Sequence, residues 1–139
     1  YCTKRIITMR AVQRGDIYHR YFTSTNPPKN KFFVIVGEDE HNYIGYFFIN
    51  SNINGFVSRN NAMTQMQMPI KPSDYPFLTH VSYVAGHDLA TISKNELIND
   101  LSSGNAQFKG RMHPSDMQML LNAALASPLF SAREKRFFQ

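Results

Sequence analysis

The stretch FFVIVGEDEHNYIGYFFIN, residues 32–50, decides the fold. Its first part, Phe32 to Val36, is a continuous apolar run bounded by turn residues. It is too short for a core helix and rich in aromatic and β-branched side chains, which predicts a strand covered on both faces. Glu38 to Asn42, EDEHN, predicts a polar hairpin turn. Tyr43 to Asn50, YIGYFFIN, predicts the next strand, paired antiparallel with the first. The second strand runs into Asn50-Ser51-Asn52-Ile53-Asn54-Gly55. Asparagine and glycine tolerate left-handed backbone, so this is good turn sequence. It is equally a strand end that holds polar groups out toward a ligand, and the residues alone leave both readings open.

Working outward, Arg14-Gly15-Asp16 is an entry turn and Asp16 to Phe22, DIYHRYF, an aromatic strand. Thr23 to Lys31, TSTNPPKNK, has loop composition. Ser51 to Gln65 is polar and predicts a long loop. Met66 to Ile70 alternates and could be a short strand, which Pro69 confines to a sheet edge or a strand end. Phe77 to Val84 alternates as a strand, and Asp88 to Ile92 is a short one. Ser93-Lys94-Asn95-Glu96 is a capping box that opens a helix over 94–101. His113-Pro114 opens a second, with Met117, Leu120, Leu121, Ala124 and Leu125 on one face. Ser127-Pro128 ends it. A second capping box, Ser131 to Glu134, starts a turn that reaches Phe137 and Phe138. Strands precede helices. The fold class is therefore mainly β with C-terminal helices (α+β): a small, strongly bent antiparallel sheet or barrel with a long terminal amphipathic helix. Residues 1–13 are an N-terminal extension, and residues 14–139 are one domain.

Composition narrows the function classes. The chain has 139 residues, 42% hydrophobic and 13% aromatic, enough for a sizeable core, and 18% charged, too few for a disordered polyelectrolyte. A net charge of +5 suits a polyanionic partner. The lone cysteine, Cys2, makes no internal disulfide, and no Cys or His residues recur at metal-ligand spacing. No apolar run approaches the ~20 residues a membrane span needs. The opening YCTKRIITMRAVQRGD is basic and lacks the apolar region of a signal peptide. The expectation is a cytoplasmic, metal-free protein with no cofactor and no membrane partner.

Several of these pieces occur together, in order, in one known family. They are Gly15-Asp16-Ile17-Tyr18, the apolar second strand, the third strand ending in small polar residues and Ser82-Tyr83-Val84. After them come Asp88 to Leu97 (DLATISKNEL), Gly110-Arg111-Met112 and the terminal amphipathic helix. Over roughly Arg14 to Ala126 the chain resembles the MazF/PemK (CcdB-like) toxins of toxin–antitoxin systems. The resemblance is one of order and spacing. It implies an SH3-like barrel, commonly a homodimer, that cleaves single-stranded RNA without a metal and is neutralised by an antitoxin protein; some members poison a protein target instead. The family's catalytic pair is an arginine at the start of the second strand and a threonine or serine at the end of the third. Carried over, the second position falls on Ser51 and the first near Lys31. Asn30-Lys31-Phe32 stands where the family commonly has Lys-Arg-Pro, so a point charge replaces the two-pronged guanidinium.

Metal-free RNA cleavage uses the ribose 2′-hydroxyl as nucleophile. The protein must take up its proton, stabilise the phosphorane and protonate the leaving 5′-oxygen. Lys31 suits the phosphorane charge, and Ser51 suits a hydrogen bond to a non-bridging oxygen. Asn50 and Asn52 can donate to phosphate or to base edges. Lys29, Lys31, Arg59 and Arg14 sit in or beside the predicted loops, near Tyr18, Tyr21 and Phe22. Cations holding phosphates beside aromatic faces are how single strands are bound. His19 and Arg20 fall on opposite faces of the first strand, so one can line a groove. His80, in the predicted 77–84 strand, reads as a binding residue or as a structural hydrogen-bonder. The bland alternatives are plain: a turn at 50–55, a solvated lysine guarding an apolar strand, and aromatics that form the core. The methionines of MTQMQM (63–68) fit an interface or a core gap. Two functions stay open, an RNA-cleaving toxin and a catalytically inactive SH3-like module that binds nucleic acid or a protein.

Overall fold

The computed structural model describes residues 12–139. Cys2 and most of the 1–13 extension lie outside the described residues. Its last two residues join the fold: Val12 packs against the core, and the Gln13 amide donates to Asp16 at 2.9 Å.

The hairpin forms as the sequence predicts. β1 (Asp16–Phe22), β2 (Lys29–Glu38) and β3 (Tyr43–Asn50) are successive antiparallel neighbours. The Asp39 carboxylate accepts the His41 and Tyr43 amides, both at 2.9 Å, and Asn42 takes the left-handed conformation (φ 64°) that asparagine tolerates. β2 is covered on both sides. Val34 and Val36 point into one apolar layer, and Phe33 and Ile35 into the other. β4 (Gln67–Ile70), β5 (Ser82–Ala85), β6 (Ala90–Ser93) and β7 (Ala106–Arg111) complete a seven-stranded sheet of order β4-β5-β3-β2-β1-β7, with β6 on a second stretch of β3. Pro69 does lie on an edge strand.

Among the described residues, five α-helices accompany the sheet: α1 (Gly55–Ser58), α2 (Asn61–Gln65), α3 (Lys94–Ser103), α4 (Pro114–Ala126) and α5 (Ala132–Lys135). α4 lays Met117, Leu120, Leu121 and Ala124 on the first layer, beside Phe47, Phe130 and Phe138. α3 contributes Leu97 to the second layer, which holds Tyr18, Phe22, Phe33 and Tyr46. Ser93 and Ser131 both cap helices where expected; Ser131 and Glu134 close a full capping box, whereas the Glu96 side chain turns to Arg20 instead.

Four expectations need correction. The 23–31 loop is shorter, because β2 begins at Lys29 and its pairing with β1 runs out to Phe22↔Lys29. The 51–65 loop holds two short helices; Asn54 and Asn60 each accept the amide three residues on, capping segments too short to show helical periodicity. The 77–84 strand forms only from Ser82, since Phe77 to Val81 makes turns over the end of the sheet. β7 was not expected at all: Gln107, Phe108 and Lys109 are exposed, and an edge strand of this kind has no apolar alternation to read. Of the methionine stretch, Met66 is buried in the first layer and Met68 packs against it.

Two of the motifs behind the resemblance meet in space. Asp16 is 1% exposed and pairs in register with Arg111. Its carboxylate accepts from Arg111 Nε (3.1 Å), the Tyr18 hydroxyl (2.9 Å) and the Gln13 amide. Asp16→Ala leaves the Tyr18 hydroxyl and the Gln13 amide without an acceptor, while half-exposed Arg111 turns to water. We expect a loss of about 2 kcal/mol, read as a lower urea midpoint with unchanged slope.

Candidate functional site

A groove of about 510 Å³ opens where β2 begins and β3 ends. The Phe32↔Ile49 pair closes the hairpin ladder, so Lys31 and Asn50 stand one step beyond it on facing strands. Ser51, Asn52 and Asn54 continue the rim from β3. His19 enters from β1, and Phe77, Thr79 and His80 come from the turns that replace the expected strand.

Lys31 is half-buried. Its ammonium donates to Asn50 Oδ1 and sits 4.6 Å from the centre of the Phe48 ring. Burial lowers its pKa, and the neighbouring Lys29 lowers it further. Strand alternation sends this side chain to the face of Phe33 and Ile35. The opposite face carries an aromatic wall: His19 lies 4.6 Å from Phe32, and Phe32 lies 5.0 Å from Phe77. Burial lowers the His19 pKa, helped by the charge of Lys109, so the imidazole is neutral at neutral pH. His80 is exposed, and its Nδ1 lies 3.0 Å from Thr79 Oγ1, leaving Nε2 for a ligand. Lys29, Ser51 and Asn52 are exposed; the Asn54 side-chain oxygen is committed to capping α1.

Among the described residues, the lining contains Lys29 and Lys31 and no carboxylate. It therefore favours an anion, with asparagine amides and hydroxyls as neutral donors. Of the residues singled out in the sequence, Lys31, Ser51, His19, Lys29, Asn50, Asn52 and His80 all line this groove. Arg59 does not. It ends α1, and the two unforeseen helices carry it away from the lining. Arg14 is likewise no part of a basic cluster, because its guanidinium donates to the Val36, Phe137 and Gln139 carbonyls. Tyr18 and Phe22 are core. Asn30, Phe32, Phe77 and Thr79 were missed; the first two lie on β2, and the place of Phe77 and Thr79 depends on the turn over the sheet end, which no local pattern announces. Among the described residues, no three His, Cys, Asp or Glu side chains are grouped to hold a metal ion, and no helix is long and apolar enough to cross a membrane.

The chain is similar to the solved structure of an endoribonuclease in complex with its cognate antitoxin from mycobacterial species, with a TM-score of 0.53 and 19% identity over 84% of this chain and 92% of that one. At that identity the likeness establishes the fold. The chain has the small α+β fold of this endoribonuclease, the fold that the resemblance to the MazF/PemK toxins implies. No family model matches the chain, and no curated protein matches it.

Proposed function

We propose that the protein is a toxin-type endoribonuclease that cleaves single-stranded RNA without a metal, residues 14–139 acting as one unit. The observation that carries this reading is the groove: a lysine, a serine and two histidines far apart in sequence line one carboxylate-free cleft. The endoribonuclease fold supports it. An antitoxin protein that covers the cleft, a homodimeric state and a cytoplasmic location belong to the same reading.

In the mechanism, neutral His19 takes the proton from the 2′-hydroxyl as its oxygen bonds to the adjacent phosphorus. The Lys31 ammonium and the Ser51 hydroxyl stabilise the charge on the non-bridging oxygens. His80, as the acid, protonates the leaving 5′-oxygen as the P–O5′ bond breaks. The products are a 2′,3′-cyclic phosphate and a 5′-hydroxyl. Lys29, Asn50 and Asn52 hold flanking phosphates and base edges, and Phe32 and Phe77 offer surfaces for base stacking.

The test is incubation of the protein with a long single-stranded RNA in EDTA, followed by analysis of the fragment ends. Discrete fragments with 2′,3′-cyclic phosphate ends are expected; intact RNA overturns the proposal. The acid side of the pH dependence follows from His19: cleavage rises with pH as this group loses its proton, below the usual 6.5. A second reading, a silent binding module, draws on one observation: the Lys31 ammonium is already engaged by Asn50 and Phe48. Under that reading RNA binds the cleft and stays whole.

A further inference from the structure

A second groove, of about 530 Å³, lies between the end of β1, the start of β3 and β6. Two tyrosines at its rim are unusually open, Tyr21 at 52% and Tyr43 at 47% exposed. Tyr46 lines it and is 5% exposed, yet among the described residues its hydroxyl makes no hydrogen bond. That hydroxyl reaches the groove rather than being sealed in protein, since among the described residues no fully buried side-chain polar atom lacks a partner. Burial pushes the phenol up to about 12, so it is a neutral donor and acceptor. Among the described residues the only cation of the lining, Arg20, is spent. Its Nε donates to Asp100 at 2.7 Å and one terminal nitrogen donates to Glu96 at 2.8 Å. Two carboxylates on one guanidinium leave the cluster net negative on a chain of net charge +5. The Glu96 side chain is 55% exposed and stands at the mouth.

We infer that this groove binds the ammonium or guanidinium end of a lysine or arginine side chain offered by a partner polypeptide. Open aromatic faces attract a cation through their ring quadrupoles. The half-free Glu96 carboxylate supplies the counter-charge, and the Tyr46 hydroxyl accepts a hydrogen bond from the incoming N–H. A phosphate finds no free cation here and meets excess negative charge, so nucleic acid is disfavoured. The site is separate from the RNA groove in lining and in sign of charge, and it does not depend on the nuclease reading.

The test is an amide NMR titration of the full chain with acetyl-Gly-Lys-Gly-amide and acetyl-Gly-Arg-Gly-amide. Acetyl-Gly-Glu-Gly-amide and a uridine tetranucleotide serve as comparison probes. The cationic peptides are expected to shift the Tyr43, Thr91 and Ser93 resonances and to saturate. Glu96→Gln and Tyr43→Ala, both at exposed positions that leave the fold intact, each weaken binding about 3-fold. Unmoved resonances at the highest soluble peptide concentration overturn the inference. So does wild-type affinity in both variants, and so does a tetranucleotide that shifts the same residues as strongly.

Discussion

Lys31→Ala lowers the RNA-cleavage rate by about 10²–10³-fold, the usual cost of removing one preorganised donor from a developing anion. The argument rests on where the ammonium sits. It is half-buried, held by Asn50 and placed above the Phe48 ring, so it is oriented before substrate arrives. Ser51 is exposed and its hydroxyl is not held in place beforehand, so Ser51→Ala is expected to cost less, about 10-fold. Lys31→Arg retains the charge and adds a two-pronged donor, and it keeps activity within about 10-fold of the wild type. Single-turnover cleavage at saturating protein separates these effects from RNA affinity. Thermal melts control for the lost contact with Phe48. Cleavage by Lys31→Ala at the wild-type rate would remove this residue from the chemistry and leave the fold assignment untouched.

Gly37→Ala destabilises the protein by about 3 kcal/mol, the upper end of overpacking costs. A Cβ on Gly37 lies 1.8 Å from the Phe137 carbonyl oxygen, and one on its register partner Gly45 lies 2.7 Å from the Phe137 ring. Both glycines are bare backbone under the 3₁₀ turn Arg136–Phe138. The obstacle at Gly37 is main chain and cannot rotate aside. The turn must lift, taking with it the bonds from Arg14 to the Phe137 and Gln139 carbonyls. Urea unfolding should show a lower midpoint, and Phe137 should lose protection from solvent. A midpoint within experimental error of the wild type would mean that the turn repacks at no cost.

The parts of this molecule that could be read beforehand are those where a local pattern and a tertiary requirement agree. Phe32 to Val36 is apolar without interruption because both of its faces are covered. α4 shows its stripe because one face alone is buried. The caps at Ser93 and Ser131 act within four residues and need nothing further. Lys29 and Asn30 read as loop because the end of β2 is polar and exposed, though a partner strand extends that far. β7 is held by its pairing to β1 and by the Asp16–Arg111 contact, not by its own sequence. The site divides in the same way. Lys31, Asn50 and Ser51 follow from hairpin pairing, whereas Phe77, Thr79 and the displacement of Arg59 come from turns whose direction only the packed core sets.

The clasp between Arg14 and Phe137 joins residues 123 apart in the chain. During synthesis at about 5–20 residues per second, roughly 6–25 s separate the emergence of the two. Until then the bare strip at Gly37 and Gly45 stays uncovered, and the hairpin that carries Lys31 and Asn50 lacks its backing. The nascent chain thus carries a hairpin whose turn end stays uncovered until residue 137 has emerged.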